Sequence, residues 1–102
     1  MKRAMVRYKV KPGRAEENER YITEVFSALE RAKPSQLRYT VFKADDGVSF
    51  VHLVSHEGPG DRSELRDLPE FEAFLAGIRD RCEEPPVTTP LNALGTYRFV
   101  LP

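Results

Sequence analysis

The stretch LRYTVFKADDGVSFVHLVS, residues 37–55, decides how this chain folds. Its two arms, residues 37–44 and 48–55, are rich in β-branched and aromatic residues that alternate between two faces, the period of strands. Between them Asp45, Asp46 and Gly47 supply the chemistry of a three-residue hairpin loop, with the glycine in the left-handed position. That loop pairs Val41 with Val51 and Tyr39 with Leu53 on one face, and Phe42 with Phe50 and Thr40 with His52 on the other. A one-residue slip would scramble both faces, so the register carries much of the reading.

Upstream of the hairpin, Ile22, Val25, Phe26 and Leu29 recur at i, i+3, i+4 and i+7, the stripe of an amphipathic helix beginning near Arg14. Glu16, Glu17 and Glu19 suit its positive N-terminal end, Arg31 and Lys33 its negative C-terminal end, and Pro34 marks where it has stopped. Before it, residues 4–10 alternate as a first strand, with Val6, Tyr8 and Val10 opposite Arg7 and Lys9, and Pro12 and Gly13 break it. Downstream, Asp67 and Glu70 form a capping box that opens a second helix. Its stripe is Leu68, Phe71, Phe74, Leu75, Ile78 and Cys82; Gly77 costs it about 1 kcal/mol relative to alanine, and Pro85 and Pro86 end it. A last strand is expected from about Ala93 to Leu101, with Tyr97, Phe99 and Leu101 on one face and Arg98 and Val100 on the other.

The element order is strand, helix, strand, strand, helix, strand. Right-handed crossovers put both helices on one side of a four-stranded antiparallel sheet, which is an α+β, ferredoxin-like fold. With 102 residues and 40% hydrophobic content, residues 1–102 make one domain with one core. The faces Val6/Tyr8/Val10, Tyr39/Val41, Val51/Leu53 and Tyr97/Phe99 are the partners of the helix stripes. The opposite face then carries Met5, Phe42, Phe50, Val54 and Val100 among Arg7, Arg38, Thr40, His52 and Arg98, too apolar to leave wholly in water. A second copy of the chain is the expected cover, making a homodimer.

Sixteen basic and sixteen acidic residues cancel, so no global field favours nucleic acid or an anionic membrane. Lys2, Arg3, Arg7, Lys9, Lys11 and Arg14 cluster at the start without an acid among them, the pattern of a solvated strand edge that resists aggregation. No stretch approaches the roughly 18 apolar residues of a membrane span, and the N-terminus lacks the apolar core of a signal peptide. A cytoplasmic protein is expected, in keeping with a lone cysteine, Cys82, that has no internal disulfide partner.

Three segments resemble the antibiotic biosynthesis monooxygenase-like group of the dimeric α+β barrel superfamily. They are VRYKVKPG at residues 6–13, LPEFEAF at residues 68–74 and LGTYRF at residues 94–99. The resemblance covers nearly the whole chain and implies two sheets packed face to face as a barrel, with each subunit's pocket between its sheet and its helices. Haem-degrading relatives place asparagine, tryptophan and histidine where this chain has Val6, Leu65 and Leu75, and the chain has no tryptophan, so that chemistry is not implied. Cofactor-independent oxidation of quinols or anthrones by oxygen is compatible with the resemblance.

Among side chains able to do chemistry, His52 is the best base, since a neutral imidazole can take a proton from a phenol or enol. In the register above it lies beside Thr40 on the barrel side, away from the pocket that the resemblance implies and with no partner acid, a placement that favours a structural histidine hydrogen-bonded in the dimer interface. His56 stands about 13 Å along the strand, so the two imidazoles cannot share a metal. Tyr8, Tyr39 and Tyr97 project toward the helices from three strands, as ligand-orienting phenols or as packed core with satisfied hydroxyls. Cys82, at a helix C-terminus that disfavours a thiolate, reads as packing. No flavin, haem or metal is expected, for want of a phosphate loop or ligand cluster. A match of residues 47–53 to an RNA-recognition strand fails at its stacking positions, Val48 and Leu53. What remains is a domain that binds a small apolar, aromatic or quinone-like molecule, either a cofactor-independent monooxygenase or a non-catalytic binding or sensing domain.

Overall fold

The computed structural model describes residues 2–60 and 63–99. Strand β1 (Lys2–Val10) is followed by helix α1 (Ala15–Ala32) and the hairpin of β2 (Leu37–Lys43) and β3 (Ser49–His56). After a long loop come α2 (Pro69–Ala76), the single turn α3 (Ile78–Arg81) and β4 (Cys82–Leu91). The four strands form one antiparallel sheet in the order β2-β3-β1-β4. The expected ferredoxin-like α+β architecture is therefore present. Tyr8, Val10 and Phe50 from the sheet, Val25 from α1, Phe71 and Phe74 from α2, Ile78 from α3 and Leu65 from the loop make the buried core.

The hairpin register differs from expectation by one residue. Val41 pairs with His52, Tyr39 with Val54 and Phe42 with Val51. Its turn holds four residues rather than three, because Ala44 N–H bonds the Ser49 carbonyl and Gly47 N–H bonds the Ala44 carbonyl. Asp46 sets that length: its carboxylate accepts from the Val48 and Ser49 amides and from the Ser49 hydroxyl. These bonds hold the Asp46 carboxyl below the usual carboxylate range, the Ser49 hydroxyl foremost. Gly47, at φ +78°, occupies the expected left-handed position. The extra residue turns β3 over, so Phe50, His52 and Val54 face the helices and Val51 and Leu53 face the open side.

The last strand lies earlier than expected, at Cys82–Leu91 instead of residues 93–101, despite Pro85, Pro86 and Pro90. Prolines are tolerated because β4 is an edge strand with one bonded neighbour. Its ladder to β1 jumps from Arg7↔Val87 to Lys9↔Glu84, a bulge that absorbs Pro85 and Pro86 opposite Tyr8. Residues 92–99 form neither helix nor strand, and expected strand positions Val100 and Leu101 lie outside the described residues. The second helix is likewise shorter than its stripe: Leu68 rather than Asp67 is its N-cap, with no side-chain cap bond, and Gly77 divides α2 from α3. Cys82 consequently opens β4, where burial raises its thiol pKa.

The sheet face away from the helices gathers Met5, Thr40, Phe42, Val51, Leu53, Val87, Thr89 and Leu91 beside Arg3, Arg7 and Arg38. Phe42, Val87 and Leu91 are exposed there. No helix among the described residues is long and apolar enough to cross a membrane.

Candidate functional site

The inverted face of β3 brings His52 into the interior, where it is 4% exposed. Tyr8 on β1 and Tyr39 on β2 are its diagonal neighbours across the two strand pairs, close enough for long side chains to meet. The Tyr8 hydroxyl lies 2.8 Å from His52 Nε2 and the Tyr39 hydroxyl 2.6 Å from Nδ1. Both imidazole nitrogens are therefore engaged by phenols. His52 also packs its ring 5.4 Å from that of Phe74, while Tyr39 stacks on Phe26 of α1 at 5.3 Å.

Two further residues extend this cluster. Asn18, wholly buried on α1, donates from Nδ2 to the Tyr8 hydroxyl at 2.8 Å. Arg81, 1% exposed at the end of α3, donates from Nε to Asn18 Oδ1 at 3.1 Å and from Nη2 to the Phe74 carbonyl at 2.9 Å. Its guanidinium sits 4.5 Å from the centroid of the Tyr21 ring and 5.3 Å from that of Phe74, so ring faces and carbonyl dipoles accommodate the buried charge. Gly77 makes room for it: a Cβ there would stand 2.8 Å from Arg81 Nη1.

Electrostatics follow from this burial. Loss of water holds the His52 imidazole down at about 4, so it is uncharged at neutral pH. Desolvation also pushes both phenols above their ordinary value; at Tyr8 the bond from Asn18 opposes the rise, and at Tyr39 the neighbouring Tyr8 adds to it. Tyr8, His52 and Tyr39 thus form a neutral phenol–imidazole–phenol chain backed by an amide and a guanidinium. Such a chain can orient a polar ligand through its less buried end, Tyr39, or relay a proton along its length.

Of the residues singled out from sequence, His52, Tyr8 and Tyr39 come together and Tyr97 does not. Tyr97 is 83% exposed, with the Arg98 guanidinium 5.4 Å from its ring centroid, because β4 is already complete before it. His52 faces the helices, not the open side. Asn18 and Arg81 were missed, although both fall in phase with apolar stripes: Asn18 four residues before Ile22, Arg81 three after Ile78. Two open clefts, of about 300 and 370 Å³, lie instead along α1 at Glu17, Arg20, Tyr21 and Glu24, and at Glu16, Glu19 and Thr23. Among the described residues no group of three His, Cys, Asp or Glu side chains is placed to hold a metal.

No family model matches the sequence, and no curated protein matches it. Solved structures do. A Nitrosomonas europaea protein named after the antibiotic biosynthesis monooxygenases superposes with a TM-score of 0.74 at 16% identity, covering 91% of this chain and 89% of that one. A Pseudomonas aeruginosa protein gives 0.72 at 18% identity, with 92% and 94% covered. A Caulobacter crescentus protein with the same monooxygenase name gives 0.65 at 19% identity, with 92% and 90% covered. The chain therefore has the ferredoxin-like α+β fold of the antibiotic biosynthesis monooxygenase structures, in line at the level of fold with the resemblance carried by its sequence.

Proposed function

We propose that the chain is a cytoplasmic, homodimeric domain that binds a small aromatic or quinone-like molecule beside Tyr39 and oxidises it with O2, without a cofactor. The carrying observation is the hydrogen-bonded chain from buried Asn18 through Tyr8 and His52 to Tyr39, which leads from the core to a part-exposed phenol. Only its Tyr39 end is part-exposed, next to the Phe26 ring, so a planar ligand would meet an aromatic wall and one phenol. For an anthrone-type ligand the reaction converts a ring CH2 to a carbonyl, one atom of O2 entering the product and the other leaving as water. What supports the homodimer is the sheet face away from the helices, which carries Met5, Phe42, Val51 and Leu53 and where Phe42, Val87 and Leu91 are exposed.

A non-catalytic binding or sensing role is the second reading. One observation favours it: with both nitrogens engaged, His52 has no lone pair free to take a proton directly from a ligand. The test is a thermal-shift and oxygen-uptake screen of hydroquinones, anthrones and catechols. Stabilisation with uptake is expected for wild type, and Tyr39→Phe should keep the fold while weakening binding by about 0.5–1.5 kcal/mol. Stabilisation without uptake selects the sensing reading, and neither effect across the series rules out this class of ligand.

A further inference from the structure

The buried chain has a direction, and Arg81 sets it. A guanidinium has donors and no acceptor, so Asn18 must turn its Oδ1 toward Arg81 Nε and its Nδ2 toward Tyr8. The Tyr8 oxygen therefore accepts from Asn18. Among the described residues the hydroxyl's other partner is His52 Nε2, so the Tyr8 proton is satisfied only if Nε2 accepts it. The alternative, Nε2–H donating to Tyr8, would leave a buried hydroxyl proton with no acceptor, a cost that native interiors avoid. With Nε2 as acceptor, a neutral His52 carries its proton on Nδ1 and donates to the Tyr39 oxygen. The Tyr39 proton then has no acceptor among the described residues.

We propose that Arg81 and Asn18 are positioning residues that hold His52 as its Nδ1–H tautomer, so that Tyr39 presents an outward O–H to a ligand oxygen that accepts: a quinone carbonyl, an enolate or a phenolate. The ligand reading rests on the proposed site beside Tyr39; the proton order does not. His52 then supports the Tyr39 phenol as an oxyanion donor and does not act as a base on the ligand. An anionic ligand oxygen held this way keeps the electron-rich form that reacts with O2.

The test is the nitrogen spectrum of His52 in ¹⁵N-histidine-labelled protein without ligand, at neutral pH. Wild type should show Nδ1 in the protonated, pyrrole-type range and Nε2 in the pyridine-type range. Asn18→Asp is near-isosteric, and its carboxylate would accept from both Arg81 and the Tyr8 hydroxyl, reversing the chain. Nε2 should become the protonated nitrogen, and affinity for 1,4-naphthoquinone should fall by about fivefold as the Tyr39 proton turns inward to Nδ1. A wild-type Nε2–H tautomer overturns the proposal, as does an unchanged tautomer in Asn18→Asp. If the tautomer switches as expected while neither protein binds the quinone, the proton order stands and the ligand site is rejected.

Discussion

Acidification should destabilise this protein through His52. Its pKa falls from 6.5 in the unfolded chain to about 4 in the interior, with burial as the cause. The unfolded state therefore binds more protons between these values, and stability present above pH 6.5 is lost as pH falls toward 4. The whole shift of about 2.5 units corresponds to about 3 kcal/mol, of which about 2 kcal/mol is lost between pH 7 and pH 5. Protonation also makes both ring nitrogens donors, so Nε2 could no longer accept from Tyr8. The assay is urea denaturation at fixed protein concentration, at pH 7 and pH 5, on wild type and His52→Phe. Carboxylates titrating in both proteins cancel in the difference, and wild type should lose about 2 kcal/mol more than the variant. Equal losses, or an NMR titration of His52 with a midpoint near 6.5, would refute the burial argument.

Three more perturbations probe other contacts. Gly77→Ala, at an ordinary φ of −110° between α2 and α3, gains no helix-interior propensity, and its Cβ would stand 2.8 Å from the buried Arg81 Nη1, so denaturation should show a net loss of stability. Tyr8→Phe removes the shared partner of Asn18 Nδ2 and His52 Nε2 and should cost about 1–3 kcal/mol in the same assay. Sedimentation at micromolar concentration should give about twice the 11.7 kDa chain mass, and Leu53→Asp on the open sheet face should reduce it to one chain; a wild-type monomer would remove the dimer.

The elements that periodicity identifies are β1, α1 and the hairpin strands, because their apolar residues fall on one face at the helical or strand period. What it could not supply was the loop length between β2 and β3. Asp45, Asp46 and Gly47 suit a three-residue turn, but the Asp46 carboxylate captures two amides beyond it and draws Val48 into the loop. That single residue moved His52 from the open side to the core and made the site. β4 was hidden by its prolines, which argue against a strand until the edge position and the bulge opposite Tyr8 are known. Tyr97 reads as a third pocket phenol only if the last strand begins near Ala93, whereas β4 ends at Leu91. Asn18 and Arg81 were legible in principle as polar residues in phase with the apolar stripes of their helices, a pattern easily passed over as interruption.

The most direct test of the ligand site is where a ligand's effects fall. ¹⁵N-labelled protein titrated with 1,4-naphthoquinone should show its largest amide and histidine side-chain shifts at Phe26, Tyr39 and His52. Those three meet at the part-exposed end of the buried chain. Shifts confined to the α1 clefts around Arg20 and Glu24, or to Phe42 and Leu53 on the open sheet face, would place the ligand elsewhere and contradict the account.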